Sequence, residues 1–230
     1  MYQENKPQYH ILLLIALAHG LNDLIQGVIP SIYPTLQSKY ALTMTQVGVI
    51  TLCYQLSASI LQPLVGNYTD KHPKPYSQVL GMAFTTIGIV SLSLASSYAA
   101  ILCSVVFIGV GSSVFHPEAS RVAFLASGGR RSFAQAIFQL GGNFGTALAP
   151  LLVILLLLSK KVIDGRVVEE SHQGNLIWFA SFSIFAIFIL LLIGKWRSIL
   201  LKLLKKKVKK PVVLPNLTRA QIRNSMIILM

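Results

Sequence analysis

The stretch YHILLLIALAHGLNDLIQGVIPSIY, residues 9–33, sets the terms for the whole chain. Crossing a hydrocarbon core takes roughly 20 predominantly apolar residues, and this run is long enough with one acidic residue, Asp23, inside it. His19, Asn22, Asp23 and Gln26 stand at i, i+3, i+4 and i+7, so a helix gathers them on one face while Leu, Ile and Ala cover most of the rest. No small-residue cleavage site follows, and the run reads as a retained span rather than a removable signal peptide. Asp23 lies roughly 21 Å along such a helix from Tyr9, and an ionisable side chain at that depth is costly enough to mark a functional position. His19 and Asp23 are candidates for a protonatable pair, and Asn22 and Gln26 for cavity-lining groups. The plainer reading of the same residues is a His–Asp pair that holds two helices together.

Working outward, apolar runs bounded by charge or turn residues recur at 45–66, 77–96, 99–122, 134–158 and 176–194. Composition agrees: 53% of residues are hydrophobic and 12% charged, too little polar surface for a water-soluble domain. An open chain in lipid must satisfy its own backbone hydrogen bonds, so the spans are expected to be helices and the fold all-α, a six-helix transmembrane bundle over 1–194. A basic interdomain loop is expected over 195–216. Residues 217–230 read as the start of a seventh span, with Asn216 to Arg219 at its head, so the chain looks like the truncated amino-terminal half of something longer.

The net charge of +13 is distributed unevenly. With the amino terminus inside, only Lys39, Lys160, Lys161 and Arg166 of the 20 basic residues fall on the outer side, a strong positive-inside bias that predicts a cytoplasmic amino terminus. The eight basic residues between Lys195 and Lys210, with leucines among them, suit a helix lying on an anionic leaflet; a nucleic-acid-binding tail is the rival reading. No nucleic-acid partner is expected, because the basic residues cluster beside spans and not with aromatics on a soluble platform. Cys53 and Cys103 fall inside apolar runs without metal-ligand spacing. No metal, cofactor or catalytic residue is expected.

Two further spans carry polar groups. The fourth ends in Phe115-His116-Pro117-Glu118-Ala119-Ser120-Arg121. Glu118 and Arg121 at i, i+3 form a candidate charge pair or gate together with His116; Glu118 is also a proton-coupling candidate, and Pro117 frees a carbonyl in the preceding turn. A structural ion pair is an equal reading. In the fifth span Gln135, Gln139 and Asn143 recur every fourth residue, which makes Gln139 and Asn143 candidate cavity-lining groups. Gly141, Gly142 and Gly145 supply a small-residue packing face. An intramembrane enzyme built on Ser112, Ser113 and His116 is a competing class, but no serine elbow with a distant histidine is visible.

Between the second and third spans the chain reads Gly66-Asn67-Tyr68-Thr69-Asp70-Lys71-His72-Pro73-Lys74-Pro75, which resembles the loop signature of the major facilitator superfamily. Gly66, Asp70, Lys71 and Lys74 match it, whereas Pro73 and Pro75 replace an expected glycine and basic residue. The resemblance implies a conformational latch at Asp70 and Lys71. A closer resemblance, to the fosmidomycin-resistance branch, rests on several motifs in order: His19-x-x-x-Asp23-x-x-Gln26-Gly27-x-x-Pro30, Gln62-Pro63-x-x-Gly66, the Phe115 to Arg121 run, Ala126 to Arg131, and Phe138-Gln139-x-Gly141-Gly142-Asn143-x-Gly145. It implies a proton-driven exporter of small polar drugs in the bacterial inner membrane, whose namesake substrate is a phosphonate antibiotic.

Val105 occupies the position where many drug exporters of the superfamily carry an arginine, so arginine-based coupling does not transfer. Family members bind substrate between two six-span halves, which implies that this bundle requires a separately encoded or missing carboxy-terminal half. A fragment without activity of its own is the alternative. The expected partners are thus the lipid bilayer, a small-molecule substrate, protons and that second half.

Overall fold

The computed structural model describes residues 6–163 and 166–208. In chain order the elements are α1 (Tyr9–Ser31), a short α2 (Tyr33–Tyr40), α3 (Met44–Lys71), α4 (Ser77–Leu94), α5 (Tyr98–Ala126) and α6 (Arg131–Leu157). A hairpin of β1 (Leu158–Ile163) and β2 (Arg166–Ser171) follows, then a 3-10 turn (Gln173–Trp178) and α7 (Phe179–Val208). Among the described residues six helical segments are long and apolar enough to cross a membrane: α1, α3, α4, α5, α6 and the stretch from Gln173 to Leu203. These are the six expected spans. One compact unit ends at Arg197 and a second begins at Ser198.

Local chemistry explains where the helices begin and turn. Thr43 accepts the amide of Gln46 while the Gln46 side chain accepts the amide of Thr43, a capping box that starts α3. Ser97 caps α5 by accepting the amide of Ala100. The turn from α5 into α6 places Gly128 and Gly129 at φ 55° and 93°, a region that glycine enters without steric cost.

Several boundaries differ from the sequence reading. Helix α3 runs to Lys71, so Gly66, Asp70 and Lys71 belong to its last turns and the loop begins only at His72. Helix α7 continues to Val208, which makes the first part of the expected 195–216 loop helical. The expected start of a seventh span lies outside the described residues. The antiparallel hairpin, with Leu158 opposite Ser171, is an addition to the all-α class. Its signal was present in Val162, Ile163, Val167 and Val168 flanking Asp164-Gly165, a β-branched run around a hairpin-turn pair.

Helix α1 lies along α6, and α5 packs against both α3 and α4. The α1–α6 contact is backbone to backbone: a Cβ on Gly20 would stand 2.8 Å from the carbonyl oxygen of Gly141, and one on Gly145 would overlap the carbonyl of Gly20. Two apolar clusters fill the interior. One gathers Leu24, Ile25, Val28, Val105, Ile108, Ala149 and Val153; the other gathers Leu12, Ile15, Ala18, Phe115, Ala119, Ala134 and Phe138. On α1, α5 and α6 the two clusters leave a gap at the middle of each helix, and the polar side chains occupy it.

Candidate functional site

The mid-helix gap is built around Asp23. Helix periodicity carries His19 one turn before it, with Nε2 3.1 Å from Asp23 Oδ2. From α5, His116 Nε2 approaches the other oxygen, Oδ1, at 3.2 Å. Each imidazole is fixed by its far nitrogen: His19 Nδ1 donates to the Phe138 carbonyl on α6 at 2.8 Å, and His116 Nδ1 donates to the Ser112 carbonyl at 3.0 Å. The ring of Phe138 stacks on His19 with centroids 3.9 Å apart. Asn22 Nδ2 donates to Asp23 Oδ1 at 3.1 Å. Gly142 closes the pocket, since a Cβ there would stand 2.6 Å from Asp23 Oδ2 and 2.8 Å from His19 Nδ1.

One side of Asp23 borders a cavity of about 270 Å³ that also touches Gln26, Tyr33, Thr51, Tyr54, Gln55 and Thr146. Gln26 is anchored from two helices, its Oε1 accepting the Tyr54 hydroxyl at 2.5 Å and the Ser112 hydroxyl at 3.2 Å. The lining offers hydroxyls and amides with one carboxylate, a surface that hydrogen-bonds a small polar molecule. His19, Asp23 and His116 are also the one grouping of His, Cys, Asp and Glu among the described residues compact enough to share a metal ion, with donor atoms within 4.8 Å of one another. Both imidazole–carboxylate contacts are at hydrogen-bond distance.

A second charged network lies near one end of the bundle. The Glu118 side chain is fully buried; Arg121 Nη1 reaches its Oε1 at 2.5 Å, Arg197 Nη1 pairs with its Oε2, and the Ser77 hydroxyl donates to the same oxygen at 2.8 Å. Gln78 Nε2 donates to the Glu118 backbone carbonyl at 2.9 Å. Arg121 Nη2 also pairs with Asp70, so Asp70, Arg121, Glu118 and Arg197 form a chain of alternating charge linking α3, α5 and α7.

The structure thus brings His116 to Asp23 and away from Glu118 and Arg121, with which the sequence reading grouped it. Glu118 is remote from His19 and Asp23 in contact terms and is held by two arginines. Gln26 lines the cavity, whereas Asn22 is buried behind it and Gln139 and Asn143 are exposed on α6, outside the lining. Gly141 and Gly145 serve the α1–α6 seam; Gly142 serves the Asp23 pocket. Asp70, Lys71 and Lys74 are exposed, and Gly66 has open space, with Pro117 Cβ 4.0 Å from where its Cβ would lie. Sequence reasoning missed Tyr54 and Arg197. The second was legible: Leu190, Ile193 and Arg197 stand at i, i+3 and i+7, so the buried face of α7 carries straight into the arginine.

Comparison with known proteins fits this architecture. Residues 15–227 match the Major Facilitator Superfamily. The chain is 46% identical over 210 residues to the fosmidomycin resistance protein of Escherichia coli (strain K12), covering 91% of this chain and 49% of that one. It is 43% identical over 188 residues to the uncharacterized MFS-type transporter YfnC of Bacillus subtilis (strain 168), covering 82% and 43%. The chain therefore spans about half the length of the curated relatives it matches. Among solved structures, a bacterial homolog of the human lysosomal transporter Spinster in an inward-facing, unoccupied conformation aligns with a TM-score of 0.63 at 19% identity, over 80% of this chain and 42% of that one. The transporter FucP in an outward conformation aligns with a TM-score of 0.55 at 16% identity, over 82% and 49%. Six membrane-length helices, this fold and relatives at this identity make the protein a multi-pass membrane chain that belongs to the major facilitator superfamily.

Proposed function

We propose that this bundle is the amino-terminal half of a proton-coupled exporter of small polar drugs such as fosmidomycin, working in the bacterial inner membrane with its amino terminus in the cytoplasm. The observation that carries the reading is Asp23, held at mid-helix between two imidazoles on the wall of a cavity that also carries Gln26, Gln55 and the hydroxyls of Tyr33, Thr51, Tyr54 and Thr146. A carboxylate in that position is a proton carrier whose loading state is felt by any substrate in the cavity. Substrate would bind between this bundle and a second six-helix half, with Gln26, Tyr54 and Thr146 contributing from this side; the exposed Gln139 and Asn143 face away from the bundle and are available to that half. Asp70, Arg121, Glu118 and Arg197 act as the latch, tying α3, α5 and α7 in one state of the alternating cycle.

The test is export itself. The chain is produced in a fosmidomycin-sensitive bacterium together with the carboxy-terminal half of the Escherichia coli relative, and drug resistance and drug-driven proton movement in inverted vesicles are measured. Both are expected with the unaltered chain. Asp23→Asn keeps the size and hydrogen-bonding reach of the side chain but cannot take up a proton, so it is expected to abolish the proton movement and the resistance. Retention of both in Asp23→Asn would rule out the coupling role.

A further inference from the structure

The contact between His116 and Asp23 plays no part in a single-pair reading of the site. We infer that His116 Nε2 provides a second proton-binding position on Asp23, so that the His19–Asp23–His116 cluster loads two protons rather than one. The inference deepens the proton-coupled reading and rests on it for its use in transport.

The argument begins with the far nitrogens. A backbone carbonyl can only accept, so His19 Nδ1, 2.8 Å from the Phe138 oxygen, carries a proton in every state in which that bond exists. His116 Nδ1, 3.0 Å from the Ser112 carbonyl, is constrained in the same way. The Ser112 hydroxyl lies 3.1 Å from the same nitrogen but donates to Gln26 Oε1 at 3.2 Å, which leaves it an acceptor towards His116. Both neutral rings therefore present a bare Nε2 lone pair, and both lone pairs point at Asp23, from 3.1 Å at Oδ2 and 3.2 Å at Oδ1. Each contact attracts only when a proton lies in it. Two contacts on two different oxygens accommodate two protons, one per contact, and neither excludes the other sterically.

The charge balance follows. With both Nδ1 positions filled and no other proton, the cluster carries one negative charge, with two lone pairs facing a carboxylate. The first proton neutralises it and satisfies one contact. The second satisfies the other and leaves one net positive charge. Because the groups touch, the two uptake steps belong to the cluster and not to either histidine alone. Among the described residues the titratable and charged groups around it are few, and α2 brings Tyr33, whose hydroxyl is paired with that of Thr51. On α1 these are His19 and Asp23 themselves; α3 brings the Tyr54 hydroxyl, which is turned onto Gln26. On α5 Glu118 and Arg121 are engaged with Arg197 and Asp70. Helix α6 meets the cluster with the Phe138 carbonyl and ring and with Gly142.

The two positions differ in what they hold. His19 is buried on the same helix as Asp23, so its proton links residues one turn apart. The His116 proton links α5 to α1 beside the cavity. Loss of that second proton turns an attraction between two helices into a repulsion, which gives the proton count a direct mechanical effect on the bundle.

The experiment uses the full chain, labelled with 15N-histidine and embedded in lipid nanodiscs with a chelator present, and follows the imidazole nitrogen shifts through a pH titration. His19→Gln and His116→Gln assign the signals among the five histidines. The expected result is that both rings are doubly protonated at the acidic end and that each loses its Nε2 proton on alkalinisation while retaining Nδ1. In Asp23→Asn, where the carboxylate is gone, the His116 Nε2 signal is expected to lose the hydrogen-bonded shift that it shows in the unaltered chain. A neutral His116 protonated at Nε2 instead of Nδ1, read on the unaltered chain with no variant to misfold, overturns the inference. So does a His116 Nε2 shift indifferent to Asp23→Asn. If both protons are seen while Asp23→Asn still exports drug against protons, the two-proton site stands and the coupling reading fails.

Discussion

Glu118→Ala is expected to destabilise the bundle by about 3–5 kcal/mol, the cost of stranding a buried charge whose partner has been removed. Arg197 is 1% exposed and, among the described residues, its guanidinium meets a single carboxylate. Among the described residues its Nε already lacks a hydrogen-bond partner, so the guanidinium is underpaired even before the loss. Arg121 fares better in the same variant, because it keeps Asp70. The size of the effect depends on which member is removed. Asp70 is 68% exposed at its side chain, and water screens its pairing, so Asp70→Asn should cost less than about 1 kcal/mol. Removing both buried partners, Glu118→Leu with Arg197→Met, should recover most of the loss, since no unpaired charge remains inside. Thermal and denaturant unfolding of the purified chain in detergent reads all three variants. Equal losses for Glu118→Ala and Asp70→Asn would mean that burial does not set the energetics of this network.

What could be read in advance follows from the kind of signal each feature leaves. The spans were legible because lipid forces long, unbroken apolar runs on the chain. The polar stripe from His19 to Gln26 was legible because i, i+4 spacing is a local property of one helix. Contacts between helices leave no such mark. That His116 meets Asp23 depends on how α5 is rotated against α1, and the sequence shows only that His116 faces a different way from Glu118. The amide stripe of α6 does not reach the cavity beside Asp23, which Thr146 lines while Gln139 and Asn143 stay exposed. The reason is the glycine seam: once Gly141 and Gly145 press on α1, the rotation of α6 is set, and the amides are carried round to the open side. The loop signature from Gly66 was misplaced for a simpler reason. Nothing in Gly66 to Lys71 stops a helix, and the first breaking residue is Pro73.

The second large effect is expected at that seam. Gly145→Leu should prevent stable assembly of the bundle, and Gly145→Ala should already cost about 1–3 kcal/mol, the usual range for forcing extra volume into a packed contact. The obstacle at this position is the backbone of α1: a Cβ would overlap the Gly20 carbonyl oxygen and stand 2.6 Å from its carbon and 2.8 Å from the Gly20 Cα. Side chains can rotate aside, but a helix backbone can only move as a body, so α1 and α6 must separate. Separation carries the Phe138 carbonyl away from His19 and opens the Asp23 pocket one turn along, so the same substitution should weaken the Nδ1 hydrogen bond seen in the histidine nitrogen shifts. Gly48 on α3 supplies the control, since a Cβ there meets nothing within 4 Å. Gly48→Ala is expected to be neutral or to stabilise α3 by up to about 1 kcal/mol, because glycine is the costlier residue in a helix interior. Opposite signs for the same Gly→Ala change on two helices would place the α1–α6 contact, rather than helix propensity, as the source of the Gly145 loss; matching signs would refute it. Since Gly145 and Gly141 hold α1 at the distance where His19 can reach Phe138, the Asp23 pocket and the glycine seam are parts of one arrangement: the hydrogen bond from His19 to Phe138 forms only at the spacing that the seam enforces.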